Sequence, residues 1–117
     1  MKALLTVIAT SIANNALASD VEIVNVEASQ NSGSWRFDVT LRHADTGWDH
    51  YADGWEVLDP DGHRLGMRVL AHPHETEQPF TRSLGGVAIP DGITEVIIRA
   101  RDNTNGWTAQ TYRYTLP

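Results

Sequence analysis

The alternation of apolar and polar positions is clearest over 34–43 (SWRFDVTLRH). Trp35, Phe37, Val39 and Leu41 point one way, and Arg36, Asp38, Thr40 and Arg42 the other. A period of two with one polar face predicts a half-buried antiparallel strand. The β-branched run 21–29 (VEIVNVEAS) predicts an edge strand before it, with Val24, Val26 and Ala28 on one side. Shorter strands follow at 54–59 with Trp55 and Val57, at 64–71 with Leu65, Met67 and Val69 sharing a face, and at 80–84. Further strands are predicted at 95–102, with Val96, Ile98 and Ala100 inward, and at 107–116, with Tyr112 and Tyr114 together. Turn chemistry separates them: Gln30-Asn31-Ser32-Gly33, Asp59-Pro60-Asp61-Gly62 and the Asn-Gly step within 103–106. No stretch of the mature region has a helical period. Seven short strands with regular turns predict an all-β fold, a single antiparallel sandwich of two sheets.

The Trp35 strand, the central-strand Trp55 and the final pair RARDNTNGWTAQTYRYTLP resemble the immunoglobulin-like and fibronectin-type superfold. The resemblance is one of architecture and covers the chain from residue 19 onward. It implies loops gathered at the two ends of the sandwich. The segments HADTGWDHYADGW and LAHPHETEQPFTR are also similar to those of small exported bacterial proteins of unassigned function.

The start of the chain reads differently. Met1-Lys2, an apolar run over 3–12 and Ala16-Leu17-Ala18 form a secretory signal pattern, with cleavage expected after Ala18. The run is too short for a bilayer, which takes about 20 residues. The reading is therefore a signal peptide at 1–18 and one domain at 19–117, periplasmic or secreted, with no membrane span in its mature form. There is no cysteine, so packing alone must hold the domain and no thiolate can bind a metal. Removal of Lys2, the one lysine, leaves eight arginines against fifteen carboxylates, a charge of −7. Such an acidic chain is poorly suited to nucleic acid, whose binding needs clustered basic residues.

All five histidines lie between His43 and Arg82. In an up-and-down sandwich alternate connections share an end. The loops at 44–53, 72–79 and 103–106 would thus meet at one pole, with His63 alone at the other. The pole would hold His43, His50, His72 and His74, with Asp45, Asp49, Asp53 and Asp102, and with Trp48, Tyr51 and Trp107. His72-Pro73-His74 places two imidazoles on one side of an extended segment, about 7 Å apart. Joined by His50 or His43, they would suit Zn²⁺ or Cu²⁺. The alternative is a metal-independent face for a protein or carbohydrate built on Trp48, Tyr51 and Trp107. A triad of Asp49, His50 and Ser83 or Thr81 has no supporting motif. The expectation is a non-catalytic binding or interaction module for an unknown protein or small ligand.

Overall fold

The computed structural model describes residues 18–117 of the 117-residue chain. Apart from Ala18, the predicted signal segment lies outside the described residues. These form eight strands: β1 Glu22–Asn31, β2 Ser34–Arg42, β3 Ala52–Leu58, β4 Arg64–Val69, β5 Phe80–Val87, β6 Glu95–Asp102, β7 Gly106–Trp107 and β8 Tyr112–Thr115. Among the described residues there is no helix, and so none long and apolar enough to cross a membrane.

The strands make two antiparallel sheets. One has the order β1-β2-β5; the other runs β4-β3-β6, with β7 and β8 both paired to the free edge of β6. The arrangement is consistent with a sandwich, because both sheets contribute to one core. Phe37, Val39 and Leu41 of β2 face Trp55 and Val57 of β3 and Val96, Ile98 and Ala100 of β6, all fully buried. The strict alternation of β2 and β6 is what places these side chains inside. The other face of β2 is polar: Arg36 bonds Asp38 and Ser83, and the Thr40 and Thr81 hydroxyls meet at 2.7 Å.

Three strands depart from the simple alternation. A bulge between Ile23 and Asn25 of β1 changes the parity of the strand. Ile23, Val26 and Ala28, paired with Leu41, Val39 and Phe37, then share the inward side, and Val24 leaves the predicted trio. In β4 the register opposes Gly66 to inward Val57 and Met67 to outward Glu56. Met67 and Val69 therefore share the outer face while Leu65 packs on the core, and Val69 is 66% exposed. A side chain at Gly66 would press on Leu84 and Val87 of the other sheet, so glycine lets this edge strand approach β5. The predicted last strand is split at 108–111. Here the Thr108 hydroxyl turns to donate to the Gln110 carbonyl, and Ser19 comes alongside in a parallel bridge.

The β1–β2 hairpin closes through Ser32 and Gly33, both at positive φ (54° and 87°), the geometry whose twist matches paired strands. Tyr114 ties the sheets together: its hydroxyl accepts the Ala28 amide at 3.0 Å, and its ring meets Phe37 edge-on.

Candidate metal centre

The β2–β3, β4–β5 and β6–β7 connections meet at one end of the sandwich. Asn103 joins the first and third: its amide donates to the Trp48 carbonyl, and its Oδ1 accepts the Tyr51 amide. Asp45 joins the first and second. Its buried carboxylate accepts from Ala52 N–H and His43 Nδ1 on Oδ1, at 3.0 and 2.7 Å, and from His74 N–H on Oδ2, at 2.8 Å. Asp102 ends β6 with its Oδ1 accepting the amides of Thr104 and Asn105, which shapes the three-residue turn into Gly106.

These anchors gather His43, His50 and Asp102. Each offers one donor atom, and the three lie within 4.8 Å of one another. The imidazoles of His43 and His50 meet edge-on at 4.9 Å. His50 Nε2 stands 3.5 Å from Asp102 Oδ1 without hydrogen-bond geometry, and His43 Nε2 stands 3.9 Å from Asp102 Oδ2. His50 Nε2 and Asp102 Oδ2 are buried polar atoms with no hydrogen-bond partner among the described residues. A carboxylate can only accept, so the Asp45 contact puts a proton on His43 Nδ1, and Nε2 faces the cluster. A carboxylate behind an imidazole is the usual support of a metal-binding histidine. Burial pushes the Asp102 carboxyl upward, but the Ser19 hydroxyl, the Asn105 and Thr104 amides and nearby His50 outweigh it and hold the group below its ordinary range. Among the described residues neither Asp45 nor Asp102 has an arginine partner. Two buried carboxylates and two imidazoles thus face each other with no arginine between them among the described residues.

The second histidine pair is elsewhere in its chemistry. The His72 and His74 rings are 4.7 Å apart, but His74 stacks on Phe80 and its Nε2 accepts from the Arg82 guanidinium at 2.9 Å. Burial, then Arg82 and His72, keep the His74 pKa low. With Nε2 accepting from the guanidinium, the ring proton falls on Nδ1, which is buried and has no partner among the described residues, so neither nitrogen offers a cation its lone pair. The pair joins no group of three donors among the described residues. His63 lies at the Pro60 turn, where Asp59 Oδ1 accepts the amides of Asp61 and His63. These three residues form another close donor group, shaped by the turn itself and largely exposed.

The aromatic residues also divide. Trp48 and Tyr51 meet edge-on at 5.7 Å beside the histidines, with Trp48 67% exposed. Trp107 is on the outer face of the larger sheet, with the guanidinium groups of Arg99, Arg101 and Arg64 at 4.4, 5.4 and 5.9 Å from its ring. The three aromatics therefore do not form one surface.

No family model and no solved structure matches the chain. A protein of Halomicrobium mukohataei named "Putative lipoprotein" is 42% identical over 92 residues. The match takes in 78% of this chain and 45% of that protein, so the chain spans less than half the length of its relative.

Proposed function

We propose that the domain is an exported binding module that holds one divalent transition-metal ion at His43, His50 and Asp102, without catalysing a reaction. The observation that carries the reading is the convergence of three ligand groups in which His50 Nε2 and Asp102 Oδ2 have no hydrogen-bond partner, and Asp45 and Asp102 no arginine, among the described residues. Two imidazoles and a carboxylate, without thiolate, suit Zn²⁺ and its first-row neighbours. Asp45 would orient the His43 ring from behind. His72 and His74, included in the sequence expectation, have no ligand role in this proposal.

The strand order β1-β2-β5 facing β4-β3-β6-β8 supports the immunoglobulin-like, fibronectin-type reading of the sandwich. The relative's name supports export to the cell envelope, in line with the signal pattern at 1–18 and a domain at 19–117. Whether the ligand set serves storage, transfer or attachment to a partner follows from the ion it selects.

The test is a calorimetric titration with Zn²⁺ and Cu²⁺ near pH 7. One ion should bind per chain at micromolar affinity or better. His50→Ala and Asp102→Asn should abolish binding, and His72→Ala with His74→Ala should leave it in place. Binding that survives the first two variants, or is lost only in the third, would sink the assignment. In that case the exposed Trp48–Tyr51 pair becomes the favoured contact for a protein or sugar.

A further inference from the structure

The centre is closed on its outer side by residues that precede β1. Ser19 and Val21 are both buried, and Asp20 between them has its side chain 82% exposed. The placement of Ser19 is fixed several times over. Its backbone nitrogen donates to the Trp107 carbonyl at 3.3 Å, it bridges Thr108, and its Oγ accepts the Val21 amide at 3.2 Å. Val21 belongs to the core. The backbone on either side of Asp20 is thus held while its carboxylate is free to move. That carboxylate lies over the cluster, with Oδ1 3.1 Å from His43 Nε2.

Apart from Asp20, His50 has the one partly exposed side chain at this centre; those of His43 and Asp102 are 3% and 0% exposed. The exposed Asp20 carboxylate gives the buried His43 Nε2 a neighbour that reaches solvent. Asp20 touches His43 but is outside the tight group of three donors, so it reaches the centre from its rim.

We propose that 19–21 is a strap over the metal centre, in which Asp20 is the outer, exchangeable carboxylate ligand. The inference rests on the metal-binding reading of His43, His50 and Asp102. Its second footing is the buried Asp102 Oδ2, which has no hydrogen-bond partner among the described residues and stands 3.9 Å from the same His43 Nε2 that Asp20 meets. An exposed carboxylate on a tethered backbone can bind an ion arriving from water, pass it to the two imidazoles and Asp102, and remain as a weak fourth ligand. On departure the order reverses, and release begins with Asp20 swinging out. The strap would thus govern how fast the ion exchanges, and the buried ligands which ion is held.

The experiment uses the protein purified as the cell exports it, with Zn²⁺ alone as probe. Affinity is measured by calorimetry and the release rate by stopped-flow transfer to a chromogenic chelator. Asp20→Asn keeps the shape and removes the charge; at an exposed side chain it should leave thermal unfolding of the metal-free protein unchanged. It should weaken Zn²⁺ roughly tenfold, the lower end for a lost supporting group, with most of the change in faster release. Asp20→Glu should restore part of both. If wild type binds Zn²⁺ and Asp20→Asn matches it in affinity and release rate, or binds more tightly, the strap is overturned and the three-ligand centre stands. If wild type binds no Zn²⁺ at all, both readings fall together.

Discussion

Asp45 has the most constrained side chain at the polar end. Both of its oxygens accept, from three donors belonging to His43, Ala52 and His74. An asparagine there would keep the shape but turn an amide N–H₂ toward at least one of these donors. A buried donor left unpaired costs about 1–3 kcal/mol, so Asp45→Asn should lower the urea midpoint with little change in slope. It should also weaken metal binding, since the support behind the His43 ring is lost. Unchanged stability would show that Asp45 is not the tie between the two loops. None of this was legible in the sequence, where Asp45 is one of several aspartates near histidines. The signal that did stand out, His72-Pro73-His74, pointed to a chelating pair. Spacing alone could not reveal that Phe80 and Arg82, from β5, take up the His74 ring.

At the scale of strands, the outer face of the larger sheet shows what pairing does that composition cannot. The alternation that turns Val96, Ile98 and Ala100 inward puts Arg99 and Arg101 on the opposite face of β6. The register sets Glu56 of β3 opposite Arg99, with Arg64 of β4 close by and Trp107 of β7 over the guanidinium groups. Glu56 is buried, and its oxygens accept from Arg64 Nε at 2.7 Å and Arg99 Nε at 2.8 Å. The carboxylate is enclosed whereas both arginines reach solvent. The two halves of the pair are therefore not equivalent. Arg99→Met leaves the buried carboxylate with Arg64 alone, so the loss should fall below about 3–5 kcal/mol, the range typical of a buried charge left with no partner. Glu56→Met removes the buried charge and frees arginines that water can solvate, and should cost clearly less. Denaturant unfolding of the two variants gives the comparison; equal losses, or the reverse order, would contradict this account. The strands themselves were largely readable, because alternation in β2 and β6 survives folding unchanged. The errors fell at β1, β4 and the split final strand, where a bulge, an edge position and the passage of Ser19 override local periodicity.

For the whole molecule, the alternation of connections placed three histidine-bearing or aspartate-bearing loops at one end, as the sandwich topology requires. It could not say which side chains would converge, since that depends on hydrogen bonds between loops. Those loops make the stability of the protein sensitive to pH in a particular window. The His74 pKa lies below its ordinary value of 6.5, through burial and then through Arg82 and His72. Below pH 6.5 the unfolded chain takes up a proton at this position and the folded chain does not, so acid favours unfolding. The contribution of His74 is complete above that pH and is lost as the pH falls toward its lowered folded value. The carboxylates held low act later: Asp102, Asp38 and Asp59 start from 3.8 and Glu77 from 4.5, and their stabilisation is lost only as the pH falls below those values. Urea unfolding of metal-free protein should therefore show stability declining in two steps, one beginning near pH 6.5 and one in the carboxylate range. His74→Gln, whose amide oxygen can still accept from Arg82, should flatten the first step and leave the second. If the decline below pH 6.5 is as steep in His74→Gln as in wild type, His74 is not its source, and the imidazoles facing Asp102 become the groups to test.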